Sequence, residues 1–504
     1  MEYGRLILFE LPNINEDHRI GEILDEYKLF VHRIGLVGIT NILIALSSLI
    51  LLPILTKNFS LSEYGFWVQI NTTIALIPAV ATLGLPYTMV RFLSAEKDKD
   101  KIQEGFYSIS LVVMVSTVII TIIMLIFSKN IAFALFDGEI NLAVLLSLLV
   151  FFACFNTLFI NFFRTFQQMK RYSIFLLIQT YLGLLIVSIL AINGFGIFIS
   201  SLGLLVANLI IFLIMILFII SDINLKIPKL KNVREYLSFG LPTVPGNLSY
   251  WVVESIDRYL IGIMLGAPFV AYYSPGYTLG NVILMVLAPF SFLLPSILPE
   301  YYDENNIEKV RIFLKYSLKY FLLMAIPVAF GLSFLSKPIL LWLTTPEIAQ
   351  NGYLITPFIL FSAILFGIYG IISNVIVLKK KTKIIGTIWI AAAILNFVLN
   401  MVLIPYFGII GAAAVTSFSY FFAFIMSLSY SFKFFKFEFD YNFIIKSIFA
   451  SLLFLPVIFA INPRGIISIC LAVIICMFIY FIAIMFLKGI NKKEIKFLKE
   501  LLLK

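Results

Sequence analysis

The sequence predicts an all-α polytopic membrane protein of about fourteen transmembrane helices, arranged as two six-helix lobes in parallel pseudo-twofold repeat with two further helices at the carboxyl end. Three observations predict it. The 504 residues are 61% hydrophobic and 13% charged, with mean hydropathy +1.04, well outside the range of soluble domains. The apolar residues gather in runs near the roughly 20 residues that a helix needs to cross a hydrocarbon core. The cations are segregated: of 37 Lys and Arg, only Lys57, Lys129, Lys337 and Arg464 fall on one side of the ladder and Arg258 within a span, so 32 lie on the other side.

In chain order, a polar and rather acidic segment, 1–33, precedes the first span. It lacks the basic start and cleavage site of a secretory signal and is expected to stay cytoplasmic, with Ile23 to Val31 either a short amphipathic surface helix or part of a mobile tail. The first span, 34–56, is closed by Arg33 and Lys57. Spans 65–88, 106–128, 142–163, 173–192 and 195–220 complete an amino-terminal lobe, 34–220. A basic linker, 221–236, leads to spans 237–263, 269–294, 312–335, 352–377, 384–404 and 408–432, which form a second lobe, 237–432. The region 433–487 adds spans 443–461 and 466–487, and 488–504 is a basic tail.

With both termini cytoplasmic, the basic loops all lie inside, as the positive-inside rule requires. The expected location is a cell membrane. The net charge of +10 is then a topological signature with some attraction to anionic lipids, and nucleic acid is not an expected partner. Cys154, Cys470 and Cys476 sit in spans and read as small hydrophobes.

An internal repeat organises the ladder. The turn Leu61-Ser-Glu-Tyr64-Gly65-Phe-Trp after the first span corresponds to Gly266-Ala-Pro-Phe-Val-Ala-Tyr272-Tyr273 after the seventh. A similar offset carries the basic turn Arg164 to Arg171 onto Lys379 to Lys383. Halves with six spans share one orientation, an architecture of transporters whose cavity lies between the lobes.

Leu61-Ser-Glu-Tyr-Gly65, Leu83-Gly-Leu-Pro86 followed by Arg91, the turn at Arg164, and Phe239-Gly-Leu-Pro242 followed by Asp257-Arg258-Tyr-Leu-Ile261 together resemble the polysaccharide transporter (oligosaccharide and O-antigen flippase) family of the multidrug/oligosaccharidyl-lipid/polysaccharide flippase superfamily. The resemblance covers all the spans. It implies export, without covalent chemistry, of a saccharide carried on an isoprenoid phosphate or diphosphate from the inner to the outer leaflet by alternating access. Lipid-linked saccharide, membrane lipids and enzymes of glycan assembly are the implied partners. The last two spans are expected either to border a groove for the lipid tail or to pack as peripheral helices.

Ionisable groups at mid-membrane cost about 2.5–3.5 kcal/mol on insertion scales, so they face a bundle interior or water. The seventh span carries Glu254, Asp257 and Arg258, three and four residues apart and therefore near one helical face. Two readings stand: a mutually neutralised cluster that locks the lobe, or Arg258 attracting a substrate phosphate while Glu254 or Asp257 takes a coupling Na⁺ or H⁺. Gly240, Pro242, Pro245 and Gly246 interrupt the inner half of this span and predict a bend. In-span amides, Asn247 and Asn281 among them, suit hydroxyl recognition or interhelical hydrogen bonding. Arg33 and Arg91 at the inner rim are further substrate-binding candidates.

No G-x-x-x-x-G-K-[ST] loop is present, so the expected drive is the membrane potential, with no cofactor beyond an exchanged Na⁺ or H⁺. An ion-coupled exporter of amphipathic cations from the same superfamily is the second reading. A membrane glycosyltransferase or polymerase is the third, since Asp98-Lys-Asp100 has the D-x-D spacing, although the large catalytic loop of such enzymes is missing.

Overall fold

The computed structural model describes residues 16–489, with side chains from Gly35 onward except at Phe292 and Ser296. The basic tail from 490 and the first 15 residues lie outside that description. Every regular element among the described residues is helical. The first half comprises α1 (Glu16–Asn58), α2 (Leu61–Ala81), α3 (Leu85–Leu93), α4 (Lys99–Ile126), α5 (Ser128–Leu135), α6 (Ile140–Thr165), α7 (Met169–Ile192) and α8 (Ile197–Ile223). The second comprises α9 (Val233–Gly240), α10 (Val244–Leu265), α11 (Ala267–Gly280), α12 (Leu284–Asp303), α13 (Ile307–Leu343), α14 (Pro346–Gly352), α15 (Ile355–Ile372), α16 (Asn374–Leu378) and α17 (Thr382–Phe434). Three helices close the chain: α18 (Tyr441–Leu452), α19 (Phe454–Ile461) and α20 (Ile466–Phe486).

Local chemistry explains the breaks. Ser60 and Glu63 form a reciprocal capping box at the start of α2, and the other carboxylate oxygen of Glu63 accepts the Ile197 N–H at 3.1 Å. One side chain of the Leu61-Ser-Glu motif thus satisfies donors at the starts of two helices. Leu83 and Gly84 both take positive φ, and α3 leaves α2 at 52°. The expected interruption of the seventh span appears as a 3₁₀ turn, Leu241–Thr243, between α9 and α10.

Among the described residues, eleven helices are long and apolar enough to cross a membrane, or twelve if α2 and α3 form one broken span. That differs from the expected fourteen for two physical reasons. Glu254, Asp257 and Arg258 lower the hydropathy of α10, and α17 runs for 53 residues through a non-helical Gly408 at φ 59°. Asn396 nevertheless donates to the Ser419 hydroxyl at 3.1 Å, although 23 residues of straight helix would separate them by about 34 Å. The chain folds back at Gly408, as the boundary between 404 and 408 anticipates. A second difference lies at the amino end, where Ile23 to Val31 belong to the continuous helix α1 and form no separate surface helix.

The internal repeat is visible. Both basic turns contain a left-handed residue, Gln167 at φ 55° and Lys380 at φ 56°. The second span of each half departs from regular α-helix, with a break at Leu83–Gly84 in the first and an unbroken passage through a 3₁₀ turn, Asn281–Ile283, in the second. Helix α6 packs on α4 and α8, and α7 on α1 and α8; α17 packs on α10 and α15, and α15 on α13, while α18 and α20 pack on α13. Lipid is as apolar as leucine, so close backbone approach and hydrogen bonds hold such contacts. The face of α17 turned inward is accordingly small, with Gly411, Ala412, Ala413 and Ser417 buried. Phenylalanines fill the first half, where Phe106, Phe155, Phe159, Phe162 and Phe163 form one buried cluster.

Candidate functional site

Helix α10 runs along the seam between the two halves and carries most of the candidate residues. Asp257 is 1% exposed, and both its oxygens are engaged. One accepts the Arg258 backbone N–H at 2.8 Å, and the other accepts the hydroxyls of Tyr273 at 2.5 Å and Thr416 at 3.4 Å. It therefore ties α10 to α11 and α17. Arg258 lies with its guanidinium 4.1 Å from the Tyr277 ring centre, in cation–π geometry, and Nη1 donates to the Glu254 carbonyl at 3.2 Å. Tyr277 donates to the same carbonyl at 2.8 Å. Among the described residues no carboxylate comes within 4 Å of Arg258 as an ion pair. The cluster is held together through backbone and tyrosines.

Glu254 is half-buried and faces a small pocket of mixed lining, with Tyr277, Asn281, Ser362, Thr416 and Tyr420 beside Leu284, Ile359, Ala363 and Phe366. The pocket has room for about one water molecule. The two acids that look alike in the sequence thus differ in place: Asp257 is enclosed by donors and Glu254 borders free space.

The seam is closed on both sides of this centre. Toward the Gly266 end, Gln69 of α2 donates to the Arg258 carbonyl at 2.8 Å, and the hydroxyls of Thr73 and Tyr259 lie 2.5 Å apart. A β-carbon on Gly65 would overlap the Ala267 backbone, so the turns that correspond by repeat touch each other. Toward the basic end, the two Gly-Leu-Pro motifs meet. A β-carbon on Gly84 would strike the Gly240 carbonyl, and Thr88 donates to the Tyr236 carbonyl at 3.2 Å.

Just beyond that contact, Arg91 and Asn247 line an open groove with Tyr87, Phe239 and Thr243. Asn247 precedes Arg258 by 11 residues, about 16 Å along the helix, so the candidates separate into a rim group (Arg91, Asn247) and a central group (Glu254, Asp257, Arg258, Asn281). The side chain of Arg33 lies outside the described residues. Of the other in-span amides, some bond across helices, Asn156 and Gln179 donating to the Asn208 side-chain oxygen at 3.1 and 3.2 Å, while Asn71, Asn161, Asn374 and Asn400 bond within their own spans. In Asp98-Lys-Asp100, Asp98 caps α4 and Asp100 pairs with Lys226 at 2.7 Å.

The model of the family described as "Polysaccharide biosynthesis protein" matches residues 31–299, which is more than half of the chain. The chain belongs to that family. A second model, MatE, matches residues 242–402. A probable low-salt glycan biosynthesis flippase of Haloferax volcanii, Agl15, is 24% identical over 198 residues, 39% of this chain and 42% of the relative. The match therefore spans under half of that relative's length. Among solved structures, a lipid II flippase, MurJ, in an inward closed conformation aligns at TM-score 0.73 and 18% identity over 88% of this chain and 97% of that one. An inward-facing multidrug-resistance MATE family transporter aligns at 0.61 and 17%, over 79% and 97%. The fold is that of this transporter superfamily, and the polytopic helical class expected from the sequence holds.

Sequence reasoning missed the tyrosines. Tyr273 and Tyr277 are four residues apart on α11 and close the charged cluster from the side. Their spacing was a signal, but so many aromatics stand in the chain that nothing distinguished these two. Thr416 and Ser362 gave no signal, since each is one hydroxyl among many until the helices meet.

Proposed function

We propose that this family member translocates a lipid-linked oligosaccharide or polysaccharide precursor from the inner to the outer leaflet by alternating access. The observation that carries the reading is Arg258: a mid-span guanidinium with no carboxylate ion pair among the described residues, held over a tyrosine ring near the small pocket that Glu254 and Asn281 border. A cation so placed is available to a phosphate. The glycan-biosynthesis relative and the lipid II flippase likeness support a lipid-linked anion as the cargo.

In this reading the lobes are 34–220 and 237–432, joined by the linker 221–236, and the basic end faces the cytoplasm with both termini. Arg91, Asn247 and Arg33 receive the head group at the rim, Arg258 and Asn281 hold it at the centre, and Glu254 takes a coupling proton or Na⁺, with Asp257 fixing the helix beside it. An inside-negative potential favours outward movement of an anion by about 2.3 kcal/mol per charge per 100 mV. An apolar groove between α18 and α20, lined by Phe449, Leu453, Ile479, Ile482 and Phe486, suits the isoprenoid tail.

The MatE match over 242–402 favours a second reading, an ion-coupled exporter of amphipathic cations that uses the same two acids. Reconstitution in liposomes with a labelled isoprenoid-diphosphate saccharide separates the two. Wild-type protein is expected to move the lipid outward, with Arg258→Ala slower by on the order of tenfold or more. Efflux of cationic dyes without lipid movement overturns the flippase reading.

A further inference from the structure

We propose that the linker between α8 and α9, with the groove it covers on α4, binds a resident anionic phospholipid of the leaflet at the basic end. The linker reads Leu225-Lys-Ile-Pro-Lys-Leu230-Lys-Asn-Val-Arg234. Leu225, Ile227 and Leu230 are 70%, 87% and 42% exposed, an apolar display that suits the interfacial zone of a bilayer and not a loop in water. The segment is strapped along the first turns of α4. Lys226 pairs with Asp100 at 2.7 Å, the Lys229 backbone N–H donates to the Glu104 carboxylate at 2.7 Å, and the Tyr107 hydroxyl donates to the Asn224 carbonyl at 2.7 Å.

The remaining cations form no ion pair among the described residues, although the Glu104 carboxylate lies at the Lys229 backbone. Lys229, Lys231 and Arg234 are exposed, and among the described residues none of the three side chains has an ion pair or hydrogen bond. Between two of them, Leu230 adopts φ 58°, uncommon for a branched side chain, and lines a groove with Leu83, Leu111, Val115, Ile119 and Val233. From Leu111 to the end of the groove at Ile120 is about 14 Å along α4, close to the hydrocarbon depth of one leaflet.

Unpaired cations at the mouth of an apolar channel of leaflet depth are complementary to a phosphate head group with an acyl chain beneath it. A zwitterionic lipid brings its own cation to the mouth and loses that advantage. A lipid seated here touches Leu83 at the α2–α3 bend and Val233 at the start of α9, elements from both sides of the seam. Its occupancy therefore favours the closed arrangement.

The test is native mass spectrometry of the full chain, titrated with phosphatidylglycerol and with phosphatidylcholine, for wild type, Lys229→Gln/Lys231→Gln and Val115→Trp, each first shown by thermal unfolding to be folded. Wild type is expected to prefer phosphatidylglycerol. The double charge variant should bind it on the order of tenfold more weakly with phosphatidylcholine unchanged, and the groove variant should lose both. Should Val115→Trp fail to fold, Ile119→Trp, at another exposed residue of the groove, supplies that arm. Equal affinity for the two lipids, or variants that bind phosphatidylglycerol like wild type, overturns the proposal. So does displacement of phosphatidylglycerol by an isoprenoid-diphosphate saccharide that needs the same residues, because the groove then belongs to the transported lipid.

Discussion

The two halves of the molecule share a repeat and differ in what binds their helices together. In the first half the polar contact deep among the helices is neutral: Asn156, Gln179 and Asn208 link α6, α7 and α8. In the second, the corresponding depth of α10 carries Glu254, Asp257 and Arg258. An amide network holds helices in lipid at little cost, whereas charges there are expensive and persist where they serve a purpose. In the function proposed above, the second half is the working side and the first the surface it moves against.

The comparison breaks most readily at Asp257. Asp257→Ala leaves the Tyr273 and Thr416 hydroxyls and the Arg258 backbone N–H without their acceptor, and a loss of about 3 kcal/mol is expected in equilibrium unfolding in detergent. Asp257→Asn keeps oxygen and amide partners and should lose less. Stability equal to wild type in the alanine variant would mean that the charged half is no better knit than the neutral one.

Glu254→Gln sharpens the distinction between the two acids. It should leave thermal stability near wild type and abolish any stimulation of transport by an imposed H⁺ or Na⁺ gradient in liposomes. A large fall in stability would place Glu254 with Asp257 as structure. Across the seam, Asn156→Leu removes one member of the neutral network and should cost about 0.6 kcal/mol, at most about 1.7, by the same unfolding assay. The smallest effect is expected at the basic end of the first half, where Arg171 and Asp222 pair at 2.6 Å but remain partly exposed. Arg171→Gln should change stability by about 0.5 kcal/mol or less, and added salt should reduce even that.

Much of the fold was legible because lipid imposes a simple rule, that the length of an apolar run sets a span. The break at Gly240 to Gly246 was legible from proline and glycine alone, and the charged trio from its cost. The fold-back at Gly408 was readable as a boundary but not as an antiparallel pair, which the hydrogen bond from Asn396 to Ser419 decides. The unequal fates of Glu254 and Asp257 were hidden, since they depend on Tyr273 and Thr416 arriving from other helices. The meeting of Gly84 with Gly240 was hidden for the same reason. Two Gly-Leu-Pro motifs 156 residues apart show no sign in the sequence that they face each other.

That meeting has a consequence for how the protein responds to its surroundings. The contacts at Gly84 with Gly240 and at Gly65 with Ala267 are bare backbone against backbone; they contain no ion pair for dissolved electrolyte to screen. In the function proposed above, ionic strength should then alter how fast a charged cargo arrives and leave the tightness of the seal almost untouched. A cell that changes its internal salt would find the same door, shut by shape, with a different queue in front of it.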